Sequence, residues 1–373
     1  MHLTSTVTLL LAATTASAAT HDLWIGTDTG PERMSQGIYH LTFDDEKGTL
    51  SPAKLAAEAS QPGFLAKHPT LPVLYATVDA DGGAVAAWRI VEGNDGKRLQ
   101  PMGSVPTGDG GPCYVSVDYT GRVLLSAQYG GGSVASYLLK EDGSIAERVS
   151  LLEHDDPSGV VPDRQAACHA HWAGVSPNNR YVLSPDLGAD RVYVHALDAA
   201  NGVLTPHGSV KTPPGGGARH FAFHPSGTEG YVVNELAMSV SALGWDGDKG
   251  ELTLLGTFET LRTDQIEGEV FNSGSEVRVH PSGKFAYVGN RGHDSISAYR
   301  VSDDRASLTL VDQEPVRGSH PRNFAIDPSG KWLIAAGRDS NTLAVFAIDQ
   351  ETGELQWTLH SVYAPAPICV LFP

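Results

Sequence analysis

The sequence predicts an all-β fold, a seven-bladed β-propeller whose ring is closed by a composite blade drawn from both chain termini. Three observations carry that expectation. A β-hairpin built on a His-Pro-Ser-Gly kind of turn recurs every 45 to 60 residues or so, the period of four-stranded propeller blades. Each hairpin is followed by a short third strand, a Gly-rich turn and a fourth apolar strand, with no amphipathic segment of helical length between repeats. The two chain ends carry half a hairpin each.

The clearest repeat is GGGARHFAFHPSGTEGYVVNE at 215–235, with an apolar strand at 221–223, a turn at His224-Pro225-Ser226-Gly227 and a returning strand at 231–233. Taking Pro225 as the marker, equivalent turns fall at Pro69, Tyr119, Pro177, Pro281 and Pro328. Third strands are expected at 133–138, 191–195, 239–243, 295–300 and 342–348, and fourth strands begin after Gly202, Gly250 and Gly353. The last residues, 367–373, read as a first strand without a partner, and 23–26 as a second strand without its first. Joined, they make the seventh blade and remove the exposed sheet edges of an open array. The longer inserts at 153–167 and 261–273 are candidate pocket-lining loops. The Asp or His before each turn proline is turn chemistry, not function.

With 373 residues and 41% hydrophobic composition, the chain is long enough for a large core. A formal net charge of −17 disfavours nucleic acid and anionic membranes as partners, while leaving room for a small cationic cleft. Residues 1–19 read as a signal peptide, with an apolar run at 7–13 and Ala16-Ser17-Ala18 before the cleavage point, although His2 is its only basic side chain. The run is too short to span a membrane. Residues 20–373 are then one propeller domain, exported to the periplasm or the exterior if the leader is cleaved and cytoplasmic otherwise. Three cysteines, Cys113, Cys168 and Cys369, suit buried small hydrophobes; a Cys113 to Cys168 bridge is the alternative in an exported chain.

Function is read from register. In a blade the start of the innermost strand and the end of the second lie on one face, so equivalent positions converge on the mouth of the central channel. Six residues before the turn marker stand Gly63, Cys113, His171, Arg219, Ser275, Arg322 and Pro367; ten after it stand Asp79, Tyr129, Leu187, Glu235, Arg291 and Arg338. Four arginines at matched registers beside a His and a Glu point to an anionic ligand, because guanidinium recognises carboxylate and phosphate bidentately. Blade-to-blade ion pairing is the alternative for any single one. His169 and His171 share one side of a strand at a metal-ligand spacing, and Asp186, Asn234 and Asn290 could add oxygen ligands. Their register faces away from Glu235, and neither a metal nor another cofactor is expected. No GxSxG, GK[ST], HExxH or CxxC motif occurs.

The hairpins GGGARHFAFHPSGTEGYVVNEL, HWAGVSPNNRYVLSPD, VHPSGKFAYVGNRGHDSISAY and HPRNFAIDPSGKWLIAAGRDSNTLAVF resemble the seven-bladed propeller lactonase family, over residues 21–373. That family includes propeller-type 6-phosphogluconolactonases and carboxymuconate cycloisomerases. The resemblance implies hydrolysis of a sugar-type lactone, or else muconate-type lactonisation, with catalytic positions matching His171, Arg219, Glu235 and Arg291. Those four had been selected by register alone. His169, His220, Arg322 and Arg338 are expected to bind a small, anionic lactone substrate. A ligand-binding propeller without turnover is the reading outside enzymology.

Overall fold

A computed structural model describes residues 20–80, 82–94 and 96–373 of the chain; the expected leader at 1–19 lies outside the described residues. The recurring turn explains the ring. Its His or Asp caps its own turn, as where Asp118 accepts from the backbone N–H of Arg122 and Val123 at 2.8 Å each. Where it is His, the far ring nitrogen also reaches the carbonyl of the turn glycine in the next blade: His68 to Gly121 at 3.0 Å, His224 to Gly283 at 3.0 Å and His280 to Gly330 at 2.7 Å. Glycine is needed there twice over. Gly121 has φ +71°, and a Cβ on it would meet the His68 ring at 2.4 Å.

Seven sheets result, each of four strands except the one holding the termini, which has five. In chain order, blades 1 to 6 begin with the inner strands Leu65–Lys67, Pro112–Val117, Gly174–Val175, Ala218–Phe223, Ser273–Val279 and Pro321–Ile326. Every blade pairs its strands antiparallel, and the outermost strand is the most exposed. The closing blade takes its inner strand Pro367–Leu371 from the C-terminal end and its second strand Thr20–Thr27 from the other, paired Trp24 to Leu371 and Ile25 to Val370. The core lies between blades, in apolar clusters that each join neighbouring sheets, such as Tyr231, Val233 and Val240 of blade 4 with Val277, Ala286 and Val288 of blade 5. Two short helices, Pro162–Gln165 and Thr263–Glu267, lie in the long inserts.

One irregularity shapes the channel. The inner strands carry a bulge at the start: in blade 4, Ala218 pairs with Asn234 but Phe221 pairs with Val232, so three steps on one strand face two on the other. Blade 5 repeats it between Gly274 and Val277, and blade 6 between Pro321 and Asn323. The extra residue breaks the in-out alternation, so that two successive side chains turn inward. In blade 4 these are Arg219 and His220.

Candidate active site

At the channel mouth the residues converge on one carboxylate. Glu235 follows the second strand of blade 4 and is buried, with Oε2 2.9 Å from Arg219 Nε and 3.0 Å from Arg291 Nη2. A third guanidinium arrives from the 153–167 insert: Arg164 Nη2 donates to Glu235 Oε1 at 2.7 Å and to the Tyr129 hydroxyl at 3.3 Å. Burial pushes the Glu235 carboxyl up, but Arg291, Arg219, His171 and Arg164 outweigh it and hold the group well below the ordinary glutamate range. Glu235 is therefore ionised at neutral pH.

Arg219 and Arg291 are aimed by backbone oxygens as well. Arg291 Nη2 donates to Gly274 O at 2.7 Å and to Ser273 Oγ at 2.5 Å, and Arg219 Nη1 donates to Ser275 O. Arg219 is completely buried and its Nη2 has no partner. Burial, then Arg291 and Arg322, push it down to about 9, so it stays charged at neutral pH. Arg322 is partly exposed and makes no hydrogen bond or ion pair among the described residues, although Glu235, Arg291 and Arg338 all act on it electrostatically. An arginine left unpaired beside a cluster of its own charge is a natural anion seat.

His171 is buried, and burial, then Arg219 and His220, hold its pKa well below 6.5, so the ring is neutral. The Tyr129 ring meets it edge-on at 5.4 Å and stacks on His169 at 4.3 Å, while His169 Nδ1 lies 2.7 Å from the Tyr129 carbonyl oxygen. Cys113 sits in the same ring of positions, its Sγ 3.5 Å from Ala170 O; burial pushes the thiol up to about 12 despite Arg219 and Arg322, which denies it a nucleophile's role at neutral pH. All three cysteines are free, so the Cys113 to Cys168 bridge does not form.

Of the residues singled out from the sequence, His171, Arg219, Glu235, Arg291 and Arg322 come together. Arg338 is drawn aside, held bidentately by Asp339 at 2.8 and 3.2 Å. His220 lies beneath the mouth, fully buried, with its ring 5.1 Å from that of His171. Asp186, Asn234 and Asn290 are taken up by their own surroundings: Asp186 by His154 at 2.7 Å, Asn234 by Ser239 and Ser241, Asn290 by Ser295 and Ser297. Among the described residues no group of three or more His, Cys, Asp or Glu gathers as a metal site. Arg164 was invisible to register reasoning because it lies in a non-repeating insert; Tyr129 stood at a matched register without being singled out.

The family model described as Lactonase, 7-bladed beta-propeller matches residues 22–372. The chain belongs to that lactonase family. It is 37% identical over 351 residues to the 6-phosphogluconolactonase of Bacillus subtilis, spanning 94% of this chain and 97% of the relative. It is 31% identical over 342 residues to the 6-phosphogluconolactonase of Formosa agariphila, spanning 90% of this chain and 94% of that one. The solved structure of the periplasmic gluconolactonase of Pseudomonas aeruginosa superposes with a TM-score of 0.85 at 30% identity, covering 95% of this chain and 99% of that one. The chain is accordingly a lactone-hydrolysing enzyme of the carboxylic ester hydrolase type, and the muconate and non-catalytic readings give way to it. The lactonase has no helix among its described residues that is long and apolar enough to cross a membrane.

Proposed function

We propose that the lactonase opens an anionic sugar-acid lactone of the 6-phosphogluconolactone kind at the channel mouth, using His171, Arg219, Glu235, Arg291 and Arg322. One observation carries the assignment of roles: a neutral imidazole and an unpaired guanidinium flank a carboxylate already saturated by three arginines. Glu235, so strongly acidified, is a poor proton acceptor, and its work is to fix Arg219 and Arg291. His171 takes the proton from water as the water oxygen bonds to the lactone carbonyl carbon. The oxyanion that forms is met by the free Nη2 of Arg219. Cleavage of the bond from carbonyl carbon to ring oxygen then returns the His171 proton to that oxygen, leaving a hydroxy acid. Arg322 seats a phosphate or carboxylate on the substrate.

His171→Ala and Glu235→Gln should each lose on the order of a hundredfold or more in lactone turnover, followed by acid release near pH 6.5 where spontaneous hydrolysis is slow. Parental rates in both would overturn the assignment. Export through residues 1–19 is part of the same proposal, and mass spectrometry of the mature chain's first residue tests it: cleavage after Ala18 or Ala19 is expected.

A further inference from the structure

Below the mouth the bulges turn a second layer of side chains into the channel, and this layer is as polar as it is buried. His220 of blade 4 faces Glu276, its counterpart in the blade 5 bulge, with Nδ1 3.1 Å from Oε2. Both are almost inaccessible, His220 at 0% and Glu276 at 2% exposure. Everything else that approaches Glu276 is a donor: Asn323 Nδ2 to Oε2, the Val277 N–H to Oε1 at 3.1 Å, and Arg278 Nη2 3.5 Å from Oε2. A carboxylate set among donors accepts from His220 as well, which places that ring's proton on Nδ1 and the lone pair on Nε2.

His220 Nε2 is fully buried and has no partner. So is Nδ1 of His171, on a ring centred 5.1 Å away and inclined at 63°. One nitrogen is an acceptor needing a donor. The other becomes that donor if His171 carries its proton on Nδ1, across a gap that one bridging water or a small ring rotation spans. Phe64 and Tyr114 close round His220 at 5.2 and 5.1 Å and keep the pair in place.

We infer that Glu276 and His220 are positioning residues for the lactonase reaction, holding His171 in the Nδ1-protonated tautomer so that its Nε2 lone pair faces the reacting water. The inference rests on the reading of His171 as proton acceptor. It assigns no contact with substrate to His220, whose ring packs among Phe64, Tyr114 and His171. Burial first, then the charges of Arg219, Arg278 and Arg322, outweigh Glu235 and disfavour an imidazolium at His220, so the pair acts by orientation rather than by taking a proton.

Two measurements test this on the full chain. In the parent, long-range nitrogen NMR of the imidazoles should show His220 and His171 both protonated on Nδ1; a His220 protonated on Nε2 overturns the inference whatever the variants do. Glu276→Gln should lower kcat about tenfold or more with KM within about twofold and should move the acidic limb of the kcat profile, and Glu276→Asp should recover part of the loss. A merely structural role would lower the melting temperature and leave kcat and the pH limb unchanged, which also overturns it. The two readings fail separately. If His171→Ala retains activity, the proposed mechanism is wrong. If His171→Ala is inactive while Glu276→Gln keeps the parental kcat and pH limb, only the positioning role falls.

Discussion

Glu235 and Glu276 are two glutamates of one channel, exposed to 4% and 2%, yet their pKa values are displaced in opposite directions. Desolvation pushes both carboxyls up. At Glu235 three guanidiniums lie within 3.0 Å and reverse the shift. At Glu276 the nearest guanidinium stands off at 3.5 Å, the other partners are neutral, and the group remains raised. Depth alone therefore does not decide the state of a buried acid; the number of cations in direct contact does. The layer at the mouth sets three guanidiniums on its carboxylate, and the layer beneath it sets mainly neutral donors and one more distant guanidinium round a second.

The sharpest way to break this contrast is to strip a cation from Glu235. Arg219→Met should cost about a hundredfold or more in turnover and on the order of 3 kcal/mol in stability, because it removes an oxyanion donor and one of the three guanidiniums that pair a buried carboxylate. Calorimetry and the lactone assay read the two effects separately. Next comes the mouth's own anion seat: Arg322→Ala should raise KM about tenfold or more for a phosphorylated lactone and much less for an uncharged one. Acid should then separate the two glutamates. The depressed pKa of Glu235 contributes stability that is present above about pH 4.3, the unfolded value, and is lost as pH falls through the folded one. The raised pKa of Glu276 carries a cost at neutral pH that acid relieves. The fall in melting temperature between about pH 6 and pH 3 should be shallower in Glu235→Gln than in the parent, and steeper in Glu276→Gln. The smallest effect belongs to Arg338→Ala, whose guanidinium is already spent on Asp339: turnover should stay within about threefold of the parent.

The fold was legible because one turn is written six times, and its spacing placed each inner and second strand without any helix to confuse the period. The same turn marker brought His171, Arg219, Glu235, Arg291 and Arg322 to one mouth, since equal registers of equivalent strands must converge. Three things escaped it for physical reasons. The bulge at Arg219 and His220 suspends the alternation of side chains, so His220, expected as a substrate contact, turns inward beneath the mouth instead, and Glu276 at the equivalent place in blade 5 was missed. Arg164 reaches Glu235 from an insert outside the repeated hairpin, where the turn marker assigns no register. Arg338 occupied the right register, yet its neighbour Asp339 captures it, a local ion pair that register cannot foresee.

Asn323 links two distant parts of the ring. Its Nδ2 donates to Glu276 and its Oδ1 accepts from the backbone N–H of Val370 at 2.8 Å, within the strand that closes the circle. That strand pairs with Thr20–Thr27 from the far end of the chain, so the ring is closed only when it is in place. Until Pro367–Leu371 docks, Asn323 is held on one side only, and the glutamate beneath the catalytic mouth lacks part of its setting. Ring closure and the setting of this layer are thus tied: a chain without Pro367–Leu371 would keep all the residues of the mouth and still lack the clasp that sets the layer under it.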